Sequence, residues 1–222
     1  KKELKEEYGM KGVSPIGKEW YEQAQFFEQF CKGKTADEIA GIETEKRDEE
    51  HTTVPKSGSD LAAGCTMDIG EFKEAVAKAI ANAQDANADK IGVGEVMAND
   101  GEAKQLDTTI ALVATDADGK VVYSKIDVAQ INEKTTDTKS ERKEDYGMKG
   151  VSGIGKEWYE QAQFFEQFCK GKTADEIAKT ETEKRDEEHT TVPKTDSDLA
   201  AGCTMDIGAF LEAVAEAFTN AQ

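Results

Sequence analysis

Basic residues are heavily outnumbered by acidic ones in this sequence, and long apolar stretches are missing. Lysine and arginine number 28 against 46 aspartates and glutamates, which gives a formal net charge of −18 at pH 7. Such a surface repels the phosphate backbone, so nucleic acid is excluded as a partner, and an anionic membrane face is unfavourable for the same reason. No apolar run approaches the roughly 18 residues that a membrane-spanning helix needs, so we predict no transmembrane segment.

Cysteine is also rare. The four cysteines fall in two pairs, Cys31 with Cys65 and Cys169 with Cys203, and their spacing fits no zinc-binding pattern. Two interpretations stay open at this point. Each pair forms a disulfide if the protein is exported to an oxidising compartment, or each consists of two small, half-buried thiols.

The sequence does contain a long internal repeat. Residues 5–84 and 143–222 align without a gap at an offset of 138 and differ at eleven of eighty positions, whereas residues 85–138 have no earlier counterpart. A unit of this length can bury its own core. We therefore predict two domains: 1–84, the helical back part of a first unit, and 85–222, a complete second unit. The helices of 1–84 would expose apolar faces unless upstream residues or a sheet from a neighbouring chain cover them.

The front of the complete unit is rich in β-branched residues. Thr108–Thr115 and Val121–Ile131 flank a short polar segment that contains Asp116 and Asp118, which is the pattern of a β-hairpin. These two aspartates lack the further ligands of a calcium loop, so we interpret them as turn residues. Ile91-Gly92-Val93-Gly94 is a lone G-x-G that opens no helix, which makes it weak evidence for a phosphate loop.

The back of each unit has helical periodicity. The apolar positions of the first helix in the first copy are Trp20, Ala24, Phe27 and Cys31. Thr35 and Glu38 form a capping box that starts a short second helix. A polar loop from about Glu43 to Ser59 precedes a final helix over Ile69–Asn82, which Asp68 is placed to cap. Strands followed by helices predict an α+β fold, with helices packed on one face of an antiparallel sheet and the arrangement repeated.

One segment recurs unchanged immediately before the last helix. It reads DLAAGCT, from Asp60 to Thr66 and again from Asp198 to Thr204. Unpaired N–H groups and the positive end of a helix dipole favour an anion there, and Gly64 would let a ligand approach the backbone closely. The segment holds no general base, nucleophile–base pair or metal cluster. The residues therefore indicate a site that holds a phosphate without turning it over. The alternative interpretation, which the residues alone favour, is that Thr66 merely helps Asp68 to cap the helix.

This segment resembles the flavinylation motif Asp-x-x-[Ser/Thr]-Gly-Ala-[Thr/Ser] of the FMN-binding domain family. That family includes flavin subunits of the Rnf-type electron-transport complex and of the sodium-pumping NADH:quinone reductase. In its members a flavin transferase joins the FMN phosphate to the last motif residue as a phosphoester. The resemblance implies covalent FMN on Thr66 and Thr204. The other motif positions are Asp60, Gly64 and Cys65 in the first copy and Asp198, Gly202 and Cys203 in the second. The sequence departs from the motif at two positions per copy: Ala63 and Ala201 replace its hydroxyl residue, and the two cysteines replace its alanine.

A second match lies upstream of the first helix. Ser14-Pro15-Ile16-Gly17-Lys18 and its counterpart Ser152-Gly153-Ile154-Gly155-Lys156 resemble the family's Gly-[Leu/Ile]-Gly loop, which lies near the flavin ring. A glycine-flanked segment just before this loop contains a methionine. The resemblance therefore implies flavin contacts at Ile16, Gly17, Ile154 and Gly155. Met10 and Met148 are further candidates, for which flavin contact and a purely structural role both stay open. Together with Tyr8-Gly9-Met10-Lys11, the pattern also resembles lipoproteins of anaerobic Firmicutes, which implies an extracellular or cell-surface location.

The resemblance implies an extracytoplasmic electron carrier, matured by a flavin transferase and exchanging electrons with redox partners or neighbouring flavin domains. Two alternatives come from other classes. An FMN-dependent reductase would need proton donors beside the ring, for which Tyr8, Lys11, Cys65 and their copies are the candidates. A flavin-free spacer or adhesive repeat would carry no cofactor. Trp20 and Tyr21 are interpreted as core residues, and the two histidines, His51 and His189, as solvated loop residues.

Overall fold

The computed structural model describes residues 1–222 and divides them into two compact units, Lys1–Asp85 and Ala86–Gln222. The first unit contains α1 (Trp20–Cys31), α2 (Ala36–Ala40), β1 (Thr44–Glu45), β2 (Val54–Pro55) and α3 (Gly70–Ala81). The second unit contains β3 (Lys90–Asp100), β4 (Gln105–Thr115), β5 (Val121–Ile131), α4 (Lys139–Arg142), α5 (Trp158–Cys169), α6 (Ala174–Ala178), β6 (Thr182–Glu183), β7 (Val192–Pro193) and α7 (Gly208–Asn220). Antiparallel sheets with helices packed on them make this an α+β fold, as the sequence predicts.

The main sheet of the second unit is an antiparallel meander in the order β3-β4-β5. The predicted hairpin is confirmed, with β4 beginning three residues earlier than expected. Helix α7 packs on β3 and β4, and α5 packs on β5. Ala111 pairs with Gly94 on one side and Ile126 on the other. All three residues are buried, and Ala111 and Ile126 belong to the same core cluster as Phe165 of α5 and Phe210 of α7. Both helices therefore cover this face of the sheet.

The G-x-G of β3 has a packing role. A Cβ on Gly92 would overlap the carbonyl oxygen of Ala217, and a Cβ on Gly94 would overlap that of Ala213. Both oxygens belong to the backbone of α7, so β3 runs directly beneath this helix at a separation that only glycine permits. The G-x-G is therefore a strand-to-helix contact rather than a phosphate loop.

Aromatic rings fill the core between the helices and the sheet of the second unit. The Phe165 and Phe210 ring centroids are 5.4 Å apart, and Trp158 meets Phe210 edge-on at 5.9 Å. Trp158, the counterpart of Trp20, is only 3% exposed and lies in this core. In the first unit, Trp20 is half-buried and contacts Phe72 edge-on at 6.1 Å.

Local signals locate the helix starts well. Thr35 caps α2 through both bonds of a capping box. Asp68 accepts a hydrogen bond from the Gly70 N–H at the start of α3, as predicted. The loop expected over 43–59 contains a two-stranded ribbon of β1 and β2. Each strand has two residues, which is too short for a periodic pattern in the sequence. All four cysteines are free thiols, and none of the helices has the length and apolar character of a membrane span.

Candidate functional site

The recurrent segment folds as a tight turn that brings its threonine to the surface. In the second unit, the N–H groups of Gly202 and Cys203 both donate to the Leu199 carbonyl, at 3.1 and 2.9 Å. Leu199 and Cys203 are buried, which anchors the turn in the core. Thr204 follows as a half-buried residue at the rim.

A buried glutamine connects this turn to the glycine loop upstream of α5. The Thr204 N–H donates to Gln161 Oε1 at 2.8 Å, and its hydroxyl lies 3.3 Å from the same oxygen. The Gln161 amide donates to Ser152 Oγ at 3.1 Å and to the Lys156 carbonyl at 3.2 Å. Gln161 is 1% exposed, so its polar atoms depend on these partners. The two candidate segments, about fifty residues apart in sequence, therefore meet in space.

The first unit has the same connection. Gln23 Oε1 accepts from the Thr66 N–H at 2.8 Å and lies 3.2 Å from its hydroxyl. Its amide donates to Ser14 Oγ at 3.0 Å and to the Lys18 carbonyl at 3.1 Å. The geometry around Thr66 therefore forms within residues 1–85 alone.

A buried carboxylate holds the methionine of the loop. Glu157, 5% exposed, accepts from the Met148 N–H at 2.8 Å and completes the capping box of α5. Met148 is half-buried, with its sulfur 3.4 Å from the Gln161 amide. In the first unit, Glu19 accepts from the Met10 N–H at 2.8 Å. The carboxylate of the helix N-cap residue thus holds the backbone of the methionine segment in both units.

Two clefts of the second unit meet at Thr204. The first, which we call the aromatic cleft, has a volume of about 610 Å³ and is lined by Lys139, Tyr146, Met148, Trp158, Gln161 and His189, among others. The second, which we call the acidic cleft, has a volume of about 560 Å³ and is lined by Glu183, Asp196 and Asp198, among others. Arg185 and Thr204 line both clefts. Volumes of this size are within the range of small-molecule sites.

Arg185 is the cation nearest to the threonine backbone. Its Nη1 donates to the Thr204 carbonyl at 2.9 Å, and its Nε lies 3.4 Å from Asp186. A guanidinium has five N–H donors, so most of this group stays available to an anion at the rim. Arg47 repeats the contact, with Nη1 3.0 Å from the Thr66 carbonyl.

The neighbouring histidine has a partner that the sequence does not reveal. His189 Nδ1 lies 2.7 Å from Asp186 Oδ1, and this hydrogen bond lowers the pKa of Asp186 to about 2. His51 and Asp48 make the same pair. The histidines are therefore partnered loop residues rather than simply solvated ones. No group of three or more histidine, cysteine, aspartate or glutamate side chains is arranged to hold a metal ion.

A carboxylate of the protein occupies part of the helix start that the sequence suggests as an anion site. The Gly208 N–H already donates to Asp206 Oδ1 at 2.9 Å. The other carboxylate oxygen, Oδ2, accepts from the Thr191 N–H at 2.9 Å. The protein's own carboxylate thus supplies the negative charge that favours a helix N-terminus. An anion at Thr204 would lie beside Arg185 instead.

The motif glycine and cysteine have structural explanations. A Cβ on Gly202 would overlap the ring of Phe164, and one on Gly64 would overlap that of Phe26. We predicted that this glycine admits a ligand, but a phenylalanine ring occupies that face. Cys203 is fully buried, and burial raises the pKa of its thiol to about 11. It cannot serve as a proton donor in either cleft.

The glycine loop contributes different residues from those expected. Ile154 and Gly155 do not line the aromatic cleft, whereas Ser152 and Gly153 do. Gly155 has a φ of +63° and donates to the Ser152 carbonyl at 3.0 Å, so it is needed for the turn itself. Ile16 and Gly17 are likewise absent from the lining of the first unit's corresponding cleft, which Met10 lines.

The acidic motif residues lie at the surface. Asp198 is exposed and lines the acidic cleft. Asp60 is exposed beside a smaller cavity of about 340 Å³ in the first unit, together with Phe30 and Lys34. Neither aspartate directly contacts the threonine of its motif through a hydrogen bond.

Sequence reasoning missed Gln161 and Arg185. A signal for Gln161 is present, because it lies three residues after Trp158 and four before Phe165, on the apolar face of an amphipathic helix. A polar residue at such a position needs buried partners. Arg185 carries no comparable signal within its charged loop. Comparing the two copies does not single out Arg185 either, because sixty-nine of the eighty aligned positions are identical and most of these have no part in a site.

Comparison with known proteins gives one partial similarity. No protein-family model matches the chain, and no solved structure matches it. A chlorophenol reductase from Desulfitobacterium hafniense is 35% identical over 94 residues. The match covers 32% of this chain and 28% of the length of that protein.

Proposed function

We propose that the chain is an electron carrier with FMN attached by a phosphoester to Thr204, and to Thr66 in the first unit. One observation carries the proposal: Thr204 is half-buried where two ligand-sized clefts meet, and the Arg185 guanidinium contacts its backbone carbonyl. A phosphodiester keeps one negative charge, and Arg185 would neutralise it. The flavin would supply reversible electron transfer, and the protein supplies attachment and orientation.

The residues around the hydroxyl fit a substrate of a maturation enzyme. Thr204 Oγ1 has Gln161 Oε1 as its nearest hydrogen-bond partner. An amide oxygen accepts a hydrogen bond but does not remove a proton. Esterification therefore needs an external base, which agrees with a separate flavin transferase. The enzyme would reach Thr204 from the clefts that this residue lines.

Of the two clefts, the aromatic cleft is the more favourable binding place for the flavin ring. Tyr146 and Met148 provide apolar surface, and the Lys139 ammonium, which also pairs with Asp107 at 3.7 Å, lies 5.6 Å from the centre of the Tyr146 ring. Cations beside a flavin stabilise its anionic reduced form, whereas the carboxylates of the acidic cleft oppose it. An extracytoplasmic location forms part of the proposal, because covalent attachment prevents loss of the cofactor by dilution.

A second candidate is an FMN-dependent reductase; the partial relative is named a chlorophenol reductase. Of the three proton donors considered from the sequence, only the tyrosine lines the cleft as Tyr146. Lys149 is exposed outside it, and Cys203 is buried behind it. A binding pocket for a specific substrate would need several convergent polar groups beside the ring. The carrier is therefore favoured.

The two candidates differ in their selectivity for electron acceptors. We expect reduced, flavin-loaded protein to transfer electrons to unrelated acceptors, such as soluble flavins, ferric chelates and quinone analogues, at rates that follow the driving force. Stopped-flow absorbance measures these rates. If one small acceptor reacts about a hundredfold or more faster than equally oxidising compounds, and saturates, the chain is a reductase and the carrier proposal fails.

The role of Arg185 can be tested separately. We expect Arg185→Gln to slow flavin attachment to the second unit by about three- to tenfold, because a charge-assisted contact at a partly exposed site contributes about 1 kcal/mol. Quantitative mass spectrometry of a maturation time course measures the rate. Lys184→Gln is the matched control, since Lys184 pairs with Glu187 and lines neither cleft. Equal rates for the two variants would show that Arg185 does not bind the phosphate.

A further inference from the structure

We infer that the α1–α3 face of the first unit is a docking surface for a three-stranded antiparallel sheet with the sequence chemistry of β3–β5. The inference concerns packing and does not depend on the flavin. It comes from comparing identical residues in the two units. Those that the sheet covers in the second unit are open in the first.

The exposure of matched residues shows the open face. Cys169 is 1% exposed and its counterpart Cys31 is half-buried. Phe210 and Val214 of α7 are buried, whereas Phe72 and Val76 of α3 are not. Ile80, which follows on the same helix face, is 38% exposed. A contiguous apolar face of this kind marks an interaction site.

A carboxylate on this face specifies part of the partner. In the second unit, Glu166 Oε1 accepts from the Ile126 N–H at 2.9 Å and from Lys125 Nζ at 3.0 Å, both on β5. The matching Glu28 of α1 is exposed, with neither contact. A sheet that presents a backbone N–H and a lysine at this position would satisfy it.

Backbone groups supply a second point of recognition. Where β5 begins, the Val121 carbonyl accepts from the Gly171 N–H at 2.8 Å and the Val121 N–H donates to the Lys172 carbonyl at 2.9 Å. The corresponding N–H of Gly33 and carbonyl of Lys34 have no backbone partner. These two groups match the edge of an incoming strand in both spacing and polarity.

Close packing of a helix on a strand supplies the third point of recognition. Ala213 and Ala217 of α7 lie against the glycines of β3, where no side chain fits. Ala75 and Ala79 occupy the same positions of α3. A strand with glycines at this spacing could approach α3 as β3 approaches α7. A charged contact, a backbone pair and a glycine contact therefore select one kind of occupant.

The test adds a second sheet to the complete chain. Residues 85–138 are placed directly ahead of Lys1, which aligns with Lys139, so the junction keeps the native spacing. Cys31 is the reporter, because the other three thiols are already buried. We expect its alkylation by iodoacetamide to slow by at least about tenfold, towards the rate of Cys169, because alkylation would require local opening. Hydrogen exchange of α3 amides should slow in parallel.

A matched control carries Gly92→Val and Gly94→Val in the added copy only. There we expect Cys31 to react as fast as in the unextended chain. The inference is wrong if the added sheet leaves both Cys31 and the α3 amides unchanged, or if both extended chains protect them equally. It is also wrong if the unextended chain forms a dimer in sedimentation that protects Cys31, because the occupant is then a second copy.

Discussion

Thr204→Ala protein, matured in the presence of a flavin transferase, should lack flavin on its second unit. The substitution removes the only oxygen that can form the phosphoester there. Loss should be complete, and the intact mass should fall short by one FMN phosphoester relative to the unsubstituted chain. Peptide mapping assigns the remaining modification. Thr204 is only half-buried, and its bonds to Gln161 Oε1 through the N–H and to Arg185 through the carbonyl do not need the side chain, so circular dichroism should be unchanged.

Thr204→Ser is the matched control, because it keeps the hydroxyl and removes only the methyl group. We expect it to be flavinylated, and Thr66 serves as an internal reference in both variants. Retention of the full flavin mass in Thr204→Ala would place the attachment elsewhere. An unmodified chain from its native source would remove the covalent model altogether and favour a flavin-free spacer.

The Gly94→Val substitution should have the largest effect on stability. Its Cβ would overlap the Ala213 carbonyl oxygen and lie 2.6 Å from the Ala217 backbone nitrogen. Helix α7 would have to move away from the sheet, which opens the core around Phe210. We expect the free energy of unfolding of the second unit to fall by more than about 3 kcal/mol, the upper range for overpacking.

Urea denaturation followed by circular dichroism, with hydrogen exchange of α7 amides, measures this loss. Gly101→Ala is the control, since a Cβ at Gly101 would meet nothing within 4 Å and its φ is not in the left-handed region. Its denaturation midpoint should match that of the unsubstituted chain. A Gly94→Val protein of unchanged stability would show that α7 does not pack closely on β3.

Features encoded by neighbouring residues were predictable. The hairpin around Asp116 and Gly119, the capping box at Thr35 and the cap at Asp68 each depend on residues within a few positions of one another. The class of the fold follows from the order of these elements. Residues close in sequence determine each of these features, so contacts with distant parts of the chain are not needed to predict them.

Features that depend on long-range packing were not predictable. Gly92 and Gly94 are required because α7, more than a hundred residues later, packs against them. Gly202 is required because the ring of Phe164 occupies the space of a Cβ. A glycine beside a ligand motif suggests room for the ligand, but here the space is filled by the protein itself. Arg185 likewise approaches Thr204 through the fold and not through sequence proximity.

The unequal burial of the cysteines has a consequence for the stoichiometry of oxidation. Three of the four thiols lie in protein interior, and Cys31 alone reaches the surface. A molecule with a single accessible thiol can be cross-linked to one neighbour and no more. Air oxidation should therefore stop at disulfide-linked pairs, and a chain whose Cys31 is covered by a sheet should not cross-link at all.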